Sequence, residues 1–82
     1  MRIENYLGRG IELEVYRDHT LVPNTWDPKH VFFSAVQTSD GFVIAEDFRN
    51  GSENILEIMR GLKGMVKRFL AFIDSGGSLK NW

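Results

Sequence analysis

Between residues 31 and 48 the chain reads VFFSAVQTSDGFVIAEDF, two apolar runs separated by a short polar segment. β-Branched and aromatic residues dominate both runs, and these residue types favour strands. The segment Thr38-Ser39-Asp40-Gly41 is typical of a tight turn, because glycine accepts the positive φ that such turns require. The pattern therefore predicts an antiparallel hairpin with strands at 31–37 and 42–48.

The turn allows two registers, because Asp40-Gly41 can form a two-residue turn and Ser39-Asp40-Gly41 can form a three-residue loop closed by a glycine bulge. The two registers place the side chains on different faces of the sheet. With the two-residue turn, the two apolar faces are Val31, Phe33, Ala35, Phe42, Ile44 and Phe48 against Phe32, Val36, Val43 and Ala45. With the three-residue loop, they are Phe32, Val36, Phe42, Ile44 and Phe48 against Val31, Phe33, Ala35, Val43 and Ala45. Either register leaves both faces mainly apolar.

Upstream of the hairpin the sequence predicts further strands and a long loop. From Ile11 to Tyr16 apolar and charged residues alternate, which is the period of a strand with one buried face and predicts a strand at 11–17. Gly8-Arg9-Gly10 is a turn signal, so residues 2–7 are candidates for a short preceding strand. Residues 18–29 contain Trp26, both prolines and no sustained period. Loops of this length in compact domains tend to be functional.

Downstream of the hairpin, residues 53–74 predict an amphipathic helix. Ser52 is a suitable N-cap, and Glu53 adds a negative charge in the first turn, where the helix dipole favours one. Apolar residues then recur at spacings of three and four, at Ile55, Met59, Leu62, Val66, Phe69 and Ile73. Ser75-Gly76-Gly77 ends the helix, because glycine adopts the left-handed cap conformation, and residues 75–82 form a C-terminal tail.

Together these elements predict one α+β domain over residues 1–82. Its sheet is a three- to four-stranded antiparallel meander, packed on one face by a single long C-terminal α-helix. Hydrophobic residues make up 43% of the chain and charged residues 26%, which is typical of globular proteins. The chain has no cysteine, so neither a disulfide nor a thiolate metal site is available. No apolar run approaches the length of a membrane span, and no secretory signal pattern is seen, so we expect a cytoplasmic protein without a membrane partner.

The hairpin carries more apolar surface than one helix covers. An antiparallel sheet with a helix on one side usually presents polar residues on the other, and this hairpin does not. Either the Trp26 loop or the segment around Tyr6 and Leu7 folds over the second face, or that face binds another protein. Gly61 and Gly64 inside the helix each cost about 1 kcal/mol relative to alanine, which indicates close approach by another helix, a tolerated kink or tight packing on the sheet. The predicted interface residues are Tyr16, Trp26, Phe32, Val36, Val43, Ala45, Gly61 and Gly64.

Binding of single-stranded nucleic acid is the alternative function. Aromatic rings on the sheet would stack on bases, and the helix offers the cations Arg60, Lys63, Lys67 and Arg68. A net charge of −1 and a pI near 6.1 give no long-range attraction, and Glu12 and Glu14 repel phosphates. We therefore expect a homodimer or a complex with a larger protein first, and nucleic acid second.

No feature of the sequence indicates catalysis, a cofactor or a small-molecule substrate. The chain lacks a nucleophile elbow, a phosphate-binding loop and a dinucleotide fingerprint. Asp18, His19, Asp27 and His30 surround the long loop, but their spacing matches no metal-ligand pattern. We predict no catalytic residue, no cofactor and no metal, and hence a non-enzymatic interaction module such as an adaptor or an inhibitor of a larger protein.

Overall fold

The computed structural model describes residues 1–17, 31–49 and 54–82, and the predicted loop at 18–29 lies outside them. The elements are β1 (Arg2–Ile3), β2 (Ile11–Arg17), β3 (Val31–Gln37), β4 (Phe42–Arg49) and helix α1 (Ile55–Asp74), with short 3-10 turns at Tyr6–Gly8 and Leu79–Asn81. The strands form one antiparallel sheet in the order β1-β2-β3-β4. This four-stranded meander packed against one C-terminal helix confirms the predicted α+β fold class.

Strand β1 is shorter than the predicted 2–7, because the chain turns at Asn5. Asn5 has a positive φ of 50°, a conformation that asparagine tolerates and that a strand does not allow. Its Oδ1 atom accepts a hydrogen bond from the Gly10 amide at 2.8 Å, which holds the turn closed. Met1 extends the pairing instead, because its amine donates to the Val15 carbonyl at 2.7 Å and its carbonyl accepts from the Val15 amide at 2.8 Å.

The β3–β4 hairpin closes through four residues, not the predicted two or three. Gln37 pairs with Phe42, and between them Gly41 has a φ of 74° and donates its amide to the Gln37 carbonyl at 2.9 Å. Asp40 accepts two further hydrogen bonds, from the Phe42 amide at 3.0 Å and from the Gln37 side-chain amide at 3.2 Å. The aspartate therefore ties both ends of the loop together and stabilises the longer connection.

A β-bulge in β4 gives the hairpin a register that mixes the two predicted ones. Ala35 pairs with Ala45 and Val36 pairs with Val43, so Ile44 is an extra residue without a partner in β3. Val43 consequently shares a face with Val36. Ala45 shares the opposite face with Ala35 and packs against the core, apart from the other predicted interface residues.

The hydrophobic core lies between α1 and the inner face of the sheet. Alternate residues of β2 and β3 point toward the helix and are buried, namely Ile11, Leu13, Val15, Val31, Phe33 and Ala35. The helix buries one face made of Ile58, Met59, Leu62, Val66, Phe69 and Leu70. Helix α1 lies mainly over β2 and β3, and it covers β4 less than either of them.

Helix α1 begins two residues later than predicted, at Ile55 rather than 53. Asn54 is the N-cap, and its Oδ1 accepts a hydrogen bond from the Leu56 amide at 2.8 Å. Glu57 is the acidic residue of the first turn. The predicted cap Ser52 lies outside the described residues.

The two glycines at the end of α1 are needed for different reasons. They form a Schellman motif, in which the Gly76 amide donates to the Ile73 carbonyl at 3.0 Å and the Gly77 amide to the Phe72 carbonyl at 2.9 Å. Gly76 has a φ of 98°, which L-residues rarely adopt. At Gly77 an added Cβ would lie 2.5 Å from the Phe72 ring. The motif therefore fixes where the chain leaves the helix.

The C-terminal tail folds back, and its last residue, Trp82, packs against the edge of the core. The Trp82 ring centroid lies 5.2 Å from that of Phe69 and 5.8 Å from that of Phe72. Its Nε1 donates a hydrogen bond to the carbonyl of Ile44, the bulge residue, at 2.9 Å. The tail thus covers part of β4 that the helix leaves open.

Candidate functional site

An aromatic row crosses the outer face of the sheet, opposite α1. It consists of the cross-strand partners Tyr16, Phe32 and Phe48, one from each of β2, β3 and β4. Ring centroids of Tyr16 and Phe32 are 5.3 Å apart and those of Phe32 and Phe48 are 5.4 Å apart, at interplanar angles of 56° and 62°. Such tilted contacts are favourable between aromatic rings. Tyr16 and Phe32 are half-buried, but Phe48 is 43% exposed.

Two further cross-strand rows make the rest of the outer face a mixture of polar and apolar residues. The row beside the aromatic one consists of Arg2, Glu14, Ser34 and Glu46. The next row consists of Glu12, Val36 and Val43. The second apolar face is therefore less continuous than the sequence predicts, because carboxylates separate the rings from the valine pair.

The charge on this outer face is only partly neutralised. The Arg2 guanidinium lies 2.6 Å from the Glu12 carboxylate and 3.0 Å from that of Glu4. Neither Glu14 nor Glu46 forms an ion pair with any described residue. Negative charge consequently borders the aromatic row along one side.

The structure brings together only some of the predicted interface residues. Those on the outer face are Tyr16, Phe32, Val36 and Val43. Gly61 and Gly64 lie on α1, in the other layer, and Trp26 lies outside the described residues. A Cβ added at either glycine meets no atom within 4 Å, so tight packing on the sheet does not explain them.

Phe48 is a surface residue that the predicted interface set omits. Its face depends on the hairpin register, and the bulge at Ile44 sets that register. The same bulge pairs Phe48 with Phe32 and thereby completes the aromatic row. One of the two predicted registers, that of the three-residue loop, already places Phe48 on the face of Phe32, but no local pattern in the sequence decides between the registers.

A groove of about 300 Å³ opens between α1 and the end of β4. Its apolar lining consists of Phe33, Ile58, Leu62 and Met65. Its remaining lining residues are Arg49, Glu57, Gly61 and Arg68. The Arg49 guanidinium carbon lies 5.6 Å from the centroid of the Phe33 ring, within cation–π range. The groove is a second surface that combines apolar contact with positive charge.

The structure sets Arg68 apart from the other basic residues predicted to contact nucleic acid, because Arg60, Lys63 and Lys67 lie on one flank of α1. Arg68 lines the groove, whereas Lys63 precedes it by five residues and, at about 3.6 residues per turn, lies on a different flank of α1. Arg60 forms an exposed ion pair with Glu57 at 3.1 Å. These residues and Lys67 all belong to the helical layer. The sheet therefore separates them from the aromatic row.

A bidentate ion pair ties the turn before β2 to the end of α1. Arg9 Nη1 and Nη2 donate to Asp74 Oδ2 and Oδ1 at 3.0 and 2.8 Å. These hydrogen bonds lower the pKa of Asp74 and raise the pKa of Arg9. Both side chains are exposed, so the pair orients the helix end and forms no reactive site.

In the part of the chain that the structure describes, no three histidine, aspartate or glutamate side chains are placed to hold a metal ion. The weighed residues Asp18, His19, Asp27 and His30 lie outside that part. Among the described residues, no helix has the length and apolar character needed to cross a membrane. The chain matches no protein-family model, no curated protein and no solved structure.

Proposed function

We propose that this chain is a non-enzymatic protein-interaction module that binds another protein through the aromatic row. The partner is a second copy of the chain or a larger protein. The observation that carries the proposal is the exposure of Phe48, 43%, at the end of a row of packed rings. Aromatic residues are enriched at protein interfaces, and contiguous apolar surface on a small domain often marks one.

The aromatic row is rigid before it binds anything. Tyr16, Phe32 and Phe48 belong to three paired strands, and each ring is held by a neighbouring ring. A side chain that is already fixed loses little conformational entropy on association, so more of its contact energy contributes to affinity. This favours a role as the central anchor of an interface.

The carboxylates beside the row indicate the charge of the partner. Glu14 and Glu46 flank Ser34 in the next cross-strand row. Carboxylates at the rim of an interface attract basic groups and disfavour like charges. If the partner is a larger protein, its surface should therefore have an apolar centre with lysine or arginine on one side.

Single-stranded nucleic acid has less support from the same geometry. The rings are tilted by 56° and 62° to each other, and carboxylates rather than cations border them. Phosphate neutralisation supplies most of the affinity in such complexes. The cation that the described strands place on the outer face is Arg2, which already pairs with Glu4 and Glu12, and the basic residues of α1 lie in the other layer.

Sedimentation velocity at micromolar concentration tests the proposal with a matched pair of variants. Phe48→Asp places a charge in the aromatic row, and Leu56→Asp does the same at a 61%-exposed leucine on α1. If the partner is a second copy, the wild type and Leu56→Asp dimerise and Phe48→Asp is monomeric. If the wild type is monomeric, crosslinking in host extract should yield one defined partner that Leu56→Asp retains and Phe48→Asp loses.

The proposal is wrong if Phe48→Asp, with an unchanged far-ultraviolet circular dichroism spectrum, associates as the wild type does. It is also wrong if the row binds nucleic acid instead. That outcome would appear as a gel shift with a single-stranded oligonucleotide that weakens with rising salt and is lost in Phe48→Asp.

A further inference from the structure

The groove between α1 and β4 is separate from the aromatic row, because it opens on the helical side of the sheet. Phe33, Ile58 and Leu62 line it with side chains that are otherwise buried. Helix α1 lies mainly over β2 and β3, and Trp82 covers β4 only near the bulge. The groove is thus a place where the core remains open to a ligand.

Two arginines at this groove have no ion pair with the described residues. Arg49 contacts the Phe33 ring, an arrangement that leaves the hydrogen-bond donors at the edge of its guanidinium free. Arg68 lines the same groove from α1. The one carboxylate of the lining, Glu57, is already hydrogen-bonded to Arg60 at 3.1 Å. The uncompensated charge of the groove is therefore positive.

Gly61 keeps the groove open. It belongs to the lining together with the two arginines, and a Cβ at this position would meet no atom within 4 Å. A glycine inside a helix is unfavourable relative to alanine, so an open space on its outer side calls for a reason other than packing. A ligand backbone or side chain that approaches the helix closely at Gly61 supplies that reason.

From these contacts we infer that the groove binds an acidic peptide segment of a partner protein, with an apolar side chain on Phe33 and Leu62 and a carboxylate at Arg49 and Arg68. Arginine recognises carboxylates through paired hydrogen bonds. The apolar lining would contact the apolar side chain of the peptide that lies next to the carboxylate. This inference does not depend on the aromatic row.

A peptide fits this groove better than a free small carboxylate or a nucleic acid. Sites for small molecules usually enclose most of the ligand, and a volume of about 300 Å³ that is open on one side encloses little. A peptide continues past the groove and gains contacts on the adjacent surface. A nucleic acid backbone would gain little from the apolar part of the lining.

Two synthetic peptides and one small molecule provide the test on the full chain. The first peptide is the acetylated, amidated hexapeptide Glu-Leu-Asp-Phe-Glu-Leu, the second has glutamine and asparagine in place of the acids, and the small molecule is octanoate. Binding is followed by two-dimensional amide NMR. We expect saturable shifts at Gly61, Met65 and Arg68 with the acidic peptide, weakening as salt rises. We expect at least about five-fold weaker binding in Arg49→Gln and in Arg68→Gln, because each loses a charge-assisted contact.

A pair of glycine variants separates the groove from the rest of α1. Gly61→Leu fills the groove, whereas Gly64→Leu adds the same side chain at a helical glycine that does not line it. Leucine is a better helix former than glycine, so both variants should fold. Gly61→Leu should abolish the shifts and Gly64→Leu should retain them.

Four outcomes would overturn the inference. They are equal binding of the neutral peptide, binding of octanoate but not of the acidic peptide, binding that Gly61→Leu leaves intact, and no saturable shift at millimolar acidic peptide. Displacement of the bound acidic peptide by a single-stranded oligonucleotide would likewise assign the groove to nucleic acid. Because Phe48→Asp leaves the groove untouched, this experiment and that on the aromatic row fail independently.

Discussion

The inner and outer faces of the sheet are formed by the same alternating strands, yet they differ in the types of residue that they present. On the inner face apolar residues fill β2 and β3 without interruption, and Leu13 and Val15 are fully buried. On the outer face an aromatic row, a carboxylate row and a mixed row follow one another. Alternation along one strand assigns residues to a face, whereas the pairing between strands decides which residues become neighbours on it. The register therefore determines which side chains lie next to one another on the outer face.

The largest effect on stability is expected in the core, where α1 packs against the inner face of the sheet. Phe69 is fully buried and contacts the rings of Phe42 and Trp82, at 5.9 and 5.2 Å between centroids. Phe69→Ala should lower the free energy of unfolding by about 3–5 kcal/mol, the range for a large aromatic in a core. Phe48→Ala on the outer face should lower it by about 1 kcal/mol or less, because its ring remains partly in water. Urea unfolding measures both, and similar losses would contradict the distinction between the faces.

The second largest effect on stability is expected at the C-terminal tail, where Trp82 packs against the core. Removing the indole in Trp82→Ala loses two ring contacts and the hydrogen bond to the Ile44 carbonyl, and should lower the unfolding free energy by about 2–3 kcal/mol. Trp82→Phe keeps a ring and should lose about 1 kcal/mol. Thermal unfolding of both variants gives the order. Equal stability of Trp82→Ala and the wild type would show that the tail does not hold β4.

Two glycine substitutions should have smaller effects on stability, and the sign of each depends on what the new Cβ atom meets. Gly77→Ala should destabilise by about 1 kcal/mol, because the new Cβ displaces the Phe72 ring, which itself contacts Trp82. Gly64→Ala should stabilise by about 0.5–1 kcal/mol, because its Cβ enters open space in a helix. Urea midpoints distinguish the two signs. Destabilisation by Gly64→Ala would mean that the new Cβ clashes with a neighbouring atom, and the structure shows no such atom within 4 Å.

The smallest effect concerns the exposed pair that links the two layers at one end. Arg9 lowers the pKa of Asp74 below its ordinary value of 3.8. A carboxyl whose pKa is lower in the folded state contributes stability above its unfolded pKa and loses it as the pH falls through the folded pKa. Arg9→Gln should therefore reduce the urea midpoint slightly at pH 7, and the difference from the wild type should shrink below pH 4. A difference that persists unchanged at pH 2.5 would exclude the ion pair as its cause.

Several parts of the structure follow from local residue patterns. The alternation from Ile11 to Tyr16, the β-branched runs on both sides of Gly41 and the apolar repeat of α1 each indicate their element, and together they indicate the fold class. Gly76 marks the helix end because a left-handed cap conformation is a local requirement. The outer-face positions of Tyr16 and Phe32 follow from the same alternation.

Other parts depend on interactions between segments far apart in the chain. The bulge at Ile44 and the docking of Trp82 on its carbonyl join residues 38 positions apart. The groove likewise needs Arg49 at the end of β4 and Arg68 on α1 to meet. Nothing in the sequence around Arg49 or Arg68 indicates that the two residues line the same groove. The predicted basic set therefore includes Arg68, which lies on the helix, but omits Arg49.

By itself, the sequence determines the type and approximate position of the long elements, because hydrophobic periodicity and cap chemistry act within a few residues of the chain. Only the tertiary structure decides which outer-face residues form the aromatic row, which flank of α1 opens into the groove and where the tail docks. Those outcomes depend on the strand register and on the placement of the helix over the sheet. Both are set by packing across the whole core, and a single bulged residue changes them.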